Sequence, residues 1–450
     1  MVYLLFYGEG RSRPTQTKTS IKYTEQMLKR TLQLLAAAAF LVFVGTACDS
    51  VNIQSTTDNE PPDFETLAPG EPIDGQYIVV FNVPDDVADD GQAAMTQLVR
   101  NEVLAAASIM EESVTASYSA ALHGFAATLS DDQLRVLQRD NRIAFIEQDK
   151  VVSLAPPCGT PRGGPCDDDP DDGDPGDGDP DDGDGDDGGS DDGTGEIDVP
   201  WGIDRVGGPV TYTGSAVSWV IDTGIQLDHP DLNVDASRGF TAFTSGPDSR
   251  SADDLNGHGT HVAGTIGAFN NIAGVAVGVL QVPVKVLDRR GSGSVSGVIA
   301  GVDYVAANAS SGDVANMSLG GGASTALDNA VINAANQGIL FSLAAGNSGT
   351  WASNSSPARV DHPNTWTIAA TDVNDNFASF SNFGPPTSFA APGVSVKSTW
   401  INSGYRTISG TSMAAPHVAG ILLVNGGSVN ADGQSSTAPD GVNYPIASHK

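Results

Sequence analysis

Ala216-Val217-Ser218-Trp219-Val220-Ile221-Asp222-Thr223-Gly224 reads as an apolar strand that ends on a carboxylate and a turn glycine. Further apolar, strand-like runs follow at 282–287, 314–319, 339–345 and 366–370, and helical stretches at 294–308 and 324–337 lie between them. Strands alternating with helices, each strand apolar on both faces, predict an α/β domain with a mostly parallel sheet covered on both sides. Ligands of such sheets bind beyond the carboxyl ends of the strands, so Asp222 stands where a site is expected. By itself an Asp before Thr-Gly is more often a turn former.

Two further runs change its meaning. Gly257-His258-Gly259-Thr260-His261-Val262-Ala263-Gly264 puts a histidine at the start of a helix whose small residues permit close packing. His258 and His261 also invite a metal reading, but there is no HExxH pattern, no carboxylate between the pair and no cysteine in this part of the chain. Ser409-Gly410-Thr411-Ser412-Met413-Ala414-Ala415-Pro416-His417-Val418-Ala419-Gly420 sets Ser412 at a helix start. Unpaired N–H groups and partial positive charge there favour an oxyanion, although an isolated serine in that place is more readily an N-cap. The second glycine of a GxSxG elbow is missing, since Ala414 takes its place.

In chain order the three run Asp, His, Ser, which differs from the orders of chymotrypsin and of the α/β-hydrolases. IDTG, GHGTHVAG and GTSMAAPHVAG together resemble the signature blocks of subtilisin-like serine peptidases, in particular the proteinase K branch, over residues 199–424. The resemblance implies a three-layer αβα fold and acyl transfer to Ser412, with His258 as general base and Asp222 holding the imidazole. It implies that Asn347, in Ala344-Ala345-Gly346-Asn347, joins the Ser412 N–H in an oxyanion hole. It also implies that Ser318-Leu319-Gly320 pairs with substrate backbone, that 291–294 forms the opposite wall, and that Leu319, Gly320, Ala344, Ala345 and Gly346 line an uncharged, mostly small P1 pocket of broad specificity. No cofactor is required for that chemistry. A structural Ca²⁺ is known in the branch, but Ser388 stands where an Asp would hold it, so no metal residue is assigned. An esterase or a non-catalytic binding protein on the same fold are the competing readings; the chain order argues against the first and the intact residue set against the second.

The rest of the chain fits a precursor. Lys29 and Arg30 precede an apolar run at 32–44 that suits a signal peptide better than a membrane span of about 20 residues. Residues 1–48 are read as that leader, with Met27 as an alternative start, and Gly45-Thr46-Ala47-Cys48 resembles a lipobox that would anchor Cys48 to lipid outside the cell or on its envelope. Residues 49–72 read as a tether. Residues 73–154 show a βαββαβ order, with Ser130 capping the second helix and the last strand read from Ile143 to Ile146, so a small ferredoxin-like α+β domain is expected. By the same resemblance it is the inhibitory propeptide, its last strand feeding the active site and self-cleavage falling between about 152 and 198. Residues 155–197 are mostly Asp, Gly and Pro and read as a self-repelling linker, leaving 198–450 as the catalytic domain. Fifteen Asp and no Lys or Arg lie at 167–192; they supply part of a net charge of −33 and leave the rest at −18, which excludes nucleic acid as partner. Protein or peptide substrates, the chain's own propeptide and a monomeric state are expected. Of three cysteines, Cys158 and Cys166 could close one small loop in the linker. The few residues after the Ser412 helix predict a reduced last helix and strand.

Overall fold

The computed structural model describes residues 67–82, 89–154 and 197–450. The leader, most of the tether, the acidic linker and all three cysteines lie outside the described residues. None of the described helices is long and apolar enough to cross a membrane.

The small domain has strands β1 (Pro72–Phe81), β2 (Val114–Tyr118), β3 (Gly124–Thr128) and β4 (Ile143–Ser153), with helices α1 (Asp89–Ala106) and α2 (Asp131–Leu137). Its antiparallel order β4-β1-β3-β2 is that of a split βαβ unit. Ser130 and Gln133 form a reciprocal capping box that starts α2. Val79, Phe81, Val103, Leu104, Phe125 and Leu137 make its own core. The sequence reading ends the last strand at Ile146, whereas β4 runs on to Ser153, because its final residues find partners in the large domain.

The large domain is built on β5 (Ser218–Asp222), β6 (Phe240–Thr241), β7 (Gln281–Lys285), β8 (Ser292–Ser294), β9 (Val314–Met317), β10 (Gly320–Gly322), β11 (Leu340–Ala344), β12 (Ser355–Ser356), β13 (Thr365–Thr371) and β14 (Thr387–Pro392). The hairpin β15 (Val396–Trp400) and β16 (Gly404–Ile408) follows, then β17 (Asn430–Gln434) and β18 (Pro445–Ser448). Nine strands form one sheet in the order β17-β18-β14-β13-β11-β9-β5-β7-β6, parallel except at β17. Helices α3 (Trp201–Arg205), α4 (His258–Gly267), α5 (Val295–Asn308), α6 (Thr325–Asn336) and α7 (Thr411–Val424) accompany it.

Strand residues alternate between two cores. Trp219, Ile221, Val282, Val284 and Phe341 pack with Val298 and Val302 of α5 and Leu327 of α6; Val220, Val314 and Ile368 pack with Val262 and Ile266 of α4 and with Val418 and Ile421 of α7. Each such side chain removed from water contributes about 1.5–3 kcal/mol. Ile78, Val80 and Tyr118 of the small domain join the first core, so the small sheet seats on the α5/α6 face. After α7 the described residues add β18 and β17 to the sheet edge and form no further helix.

Candidate active site

Asp222 closes β5 at the carboxyl end of the sheet, and its carbonyl is pinned by Val286 N and Leu287 N at 2.9 and 3.1 Å. The carboxylate is fully buried. Its Oδ1 accepts from His258 Nδ1 at 2.8 Å and from Thr223 N at 2.7 Å, and its Oδ2 is buried without a hydrogen-bond partner among the described residues.

His258 opens α4, and the glycines beside it are there for space. Gly257 has φ +114°, and a Cβ on it would lie 2.3 Å from the Trp400 ring; one on Gly259 would lie 2.0 Å from the Gly224 carbonyl. Asp254, buried just ahead of the helix, takes over the capping. Its Oδ1 accepts from Asn256 N and Gly257 N, both at 2.9 Å, and its Oδ2 from Thr260 N at 2.9 Å and Thr260 Oγ1 at 2.7 Å. Burial nevertheless pushes the Asp254 carboxyl above its ordinary range, against those hydrogen bonds. Thr223 Oγ1 accepts from Gly259 N at 2.9 Å and ties the histidine helix to the aspartate loop. His261, on the same helix, donates from Nε2 to the carbonyls of Val396 and Arg406; burial, with the charge of His258 second, lowers it to about 3. An imidazole so placed has no metal partners, and no group of three His, Cys, Asp or Glu side chains gathers among the described residues.

Ser412 is the second residue of α7, where amides lack an intrahelical acceptor. Its Oγ donates to the Ser318 carbonyl at 3.1 Å, not to His258. Two members of the expected triad are thus directly bonded, and the third is held by its hydroxyl just past the end of β9, on a helix, α7, that packs against α4. Asn347 follows β11. Its Oδ1 accepts from Thr411 N at 2.9 Å and Thr411 Oγ1 at 2.7 Å, and Gly346 N donates to Thr411 Oγ1 at 3.0 Å. With the oxygen occupied, Asn347 Nδ2 makes no hydrogen bond among the described residues and is left as a donor.

The end of β4 lies between β8 and β10 as an antiparallel third strand. Ser153 registers with Ser292 on one side and Gly320 on the other, Val152 with Gly293 and Gly321, and Leu154 N donates to the Gly291 carbonyl at 2.9 Å. Both walls expected for an extended peptide are therefore filled by the chain itself. Val152 is fully buried; of the other expected contacts, Ser318, Leu319, Ala344 and Ala345 are buried and Gly320 and Gly346 partly so. Polar contacts fix the small domain nearby. Asp303 Oδ1 accepts from the backbone N–H of Ser119, Ala120, Ala121 and Leu122 at 3.1, 2.8, 2.7 and 3.3 Å. Glu147 accepts from Ala326 N at the start of α6, and Asp149, raised by its burial, accepts from Ser296 N at the start of α5.

Thr223, Asp254, Thr411 and Asp303 escaped the sequence reading; only Asp254, four residues before His258, offers a local signal. At position 388, where the resemblance would place an Asp for calcium, Ser388 Oγ donates to the Pro386 carbonyl at 3.2 Å.

Comparison with known proteins accords with this arrangement. Residues 214–425 match the subtilase family model, and residues 76–155 match peptidase inhibitor I9. An alkaline serine exoprotease A of Vibrio alginolyticus is 40% identical over 389 residues, which span 84% of this chain and 65% of that protein. An extracellular serine proteinase of Thermus sp. (strain Rt41A) is 39% identical over 400 residues, spanning 84% of this chain and 86% of that protein. Proteinase T of Parengyodontium album is 44% identical over 239 residues, 50% of this chain and 79% of that protein. The chain belongs to the subtilase family of serine endopeptidases and carries, ahead of its peptidase domain, an I9 inhibitor segment.

Proposed function

We propose that the chain is the self-processing precursor of an exported serine endopeptidase in which Ser412, His258 and Asp222 act as the triad. The observation that carries this is the 2.8 Å contact of His258 Nδ1 with Asp222, set beside a cleft in which the chain's own residues 151–154 lie as an extended peptide. Substrate would enter as that strand does, pairing with Gly320 and with 291–294. Its N–H groups would claim wall carbonyls including that of Ser318, freeing the Ser412 hydroxyl to turn to His258 Nε2. Ser412 Oγ then bonds to the scissile carbonyl carbon as its proton passes to His258. The oxyanion takes hydrogen bonds from Ser412 N–H and Asn347 Nδ2, and collapse expels the amine with the proton from His258. Water repeats the sequence in reverse and releases the acid. The uncharged walls Leu319-Gly320 and Ala344-Ala345-Gly346 support broad specificity.

Processing would cut after Leu154 and before Asp198, whose N–H and carbonyl are already tied to Asn271 and Ala273 of the peptidase domain. The domain limits 73–154 and 198–450, the leader 1–48 and a lipid on Cys48 rest on the sequence alone. The experiment compares precursor and its Ser412→Ala variant with casein as substrate. Self-cleavage and casein loss are expected only with the unmodified chain; equal behaviour of the two overturns the assignment.

A further inference from the structure

Helix α7 carries a proline at 416, four residues after Ser412. In an α-helix the carbonyl of residue i accepts the N–H of residue i+4, and proline has none. The Ser412 carbonyl is therefore without its helical donor in a buried place, where an unpaired carbonyl is costly. Ser318 supplies the missing bond, its Oγ donating to the Ser412 carbonyl at 2.8 Å. Since Ser412 Oγ in turn donates to the Ser318 carbonyl at 3.1 Å, backbone and side chain of the same serine are both held by one residue.

The direction of the first bond is set one residue further back. Asn316 lies on β9, fully buried, and its Nδ2 donates to Ser318 Oγ at 2.8 Å. That N–H occupies a lone pair of the hydroxyl and turns the hydroxyl's proton toward the Ser412 carbonyl. A reversed amide would set two acceptors against one proton, so the network itself fixes the orientation of Asn316.

We infer that Asn316 is a positioning residue for the nucleophile, acting through Ser318 on the carbonyl that Pro416 leaves free. The inference rests on Ser412 being the nucleophile. Its function is to keep the first turn of α7 from shifting when Ser412 Oγ leaves Ser318 for His258. The role concerns turnover, because the side chain of Asn316 hydrogen-bonds Ser318 and, among the described residues, makes no hydrogen bond to the cleft strand.

The test uses processed enzyme from the full chain, with competent sites counted by a p-nitrophenyl ester titrant and peptide turnover expressed per titrated site. Asn316→Leu is expected to lower kcat roughly tenfold to a hundredfold with KM within about twofold. Pro416→Ala returns an N–H to the helix, so the same Asn316→Leu change made in that background is expected to cost markedly less than in the parent, a non-additive cycle. An Asn316→Leu enzyme with parental kcat per titrated site, or a strictly additive cycle, overturns the inference, since a residue that merely supports the fold changes the number of titrated sites and not their rate. Should Asn316→Leu yield no titratable enzyme, Ser318→Ala decides, because it keeps the carbonyl and removes only the hydroxyl: a parental rate per site overturns the inference and a tenfold loss at constant KM supports it. Casein turnover that survives Ser412→Ala would sink the nucleophile reading and this one with it. Turnover lost in Ser412→Ala but unchanged in Asn316→Leu sinks this one alone.

Discussion

His258 has a single carboxylate oxygen to organise it, and that oxygen, Asp222 Oδ1, is shared with the neighbouring Thr223 amide. Asp222→Asn would present an amide in a fully buried position and favour the wrong tautomer of His258. We expect kcat to fall about 10⁴-fold, the order found for such a substitution in another triad, with substrate binding retained. Stopped-flow acylation with a chromogenic peptide measures it, and a loss under tenfold would contradict the role. Asn347 is held by its oxygen so that its nitrogen can donate. Asn347→Leu should lower kcat roughly 10²- to 10³-fold at constant KM; that magnitude is the one known for a subtilisin's own oxyanion asparagine, and a matching rise in KM would point to binding instead. As candidates, Asp222, His258, Ser412 and Asn347 were legible because each lies in a short run whose glycines, small residues and preceding strand mark it. Thr223 and Thr411 were not, because their partners lie far away in sequence: Thr223 bonds Gly259, and Thr411 bonds Asn347; Asn316 was not, because it touches only nearby Ser318, and the long-range step is the bond from Ser318 to Ser412.

Strand β4 is the element that joins the two halves of the molecule. Its middle, Glu147-Gln148-Asp149-Lys150, breaks the apolar alternation, which is why the sequence suggests an end at Ile146. Three of these residues instead serve the large domain: Glu147 and Asp149 meet the N-termini of α6 and α5, and Lys150 Nζ donates to the Ala323 carbonyl at 2.6 Å. Helix starts 294–295 and 324–325 were readable from their serines, which cap Gly297 and Leu327. Strand β17 was not, since Asn430–Gln434 is wholly exposed and is defined only by its pairing. Helix α5 adds the carboxylate of Asp303, which gathers four backbone N–H groups of the 119–122 turn. Hydrogen bonds to a charged group are worth more than neutral ones, so Asp303→Ala in the processed enzyme should weaken inhibition by added residues 67–154 about 10- to 100-fold. Inhibition constants from progress curves test this; an unchanged constant would mean the cleft strand alone carries the affinity.

At the scale of the whole molecule, the α/β alternation was legible because buried parallel strands are apolar throughout, whereas the way the cores treat polar groups was not. His417 lies within α7 and is fully buried, its Nδ1 donating to the Met413 carbonyl at 2.8 Å and its Nε2 without a partner among the described residues. A Cβ on Gly202 would lie 2.5 Å from that Nε2, so α3 closes over it and leaves no room for an acceptor. Protonation would place a second N–H there; burial accordingly lowers His417 to about 4, as it lowers His261 to about 3. Both values lie below the 6.5 of an unfolded chain, so the unfolded state binds protons first as the medium is acidified. Stability contributed by the neutral imidazoles is complete above about pH 6.5 and is lost as pH falls toward 4, on the order of 3 kcal/mol for His417. Asp149, Asp254 and Asp328, whose carboxyls burial raises, oppose that loss only from the acid end, above 3.8. The urea midpoint of the Ser412→Ala precursor, which cannot digest itself, should therefore hold steady above pH 7 and decline most steeply between about pH 6.5 and 5. His417→Asn keeps a donor for Met413 and cannot take up a proton, so it should flatten part of that decline; an identical slope in the two proteins would show that the acid sensitivity arises elsewhere.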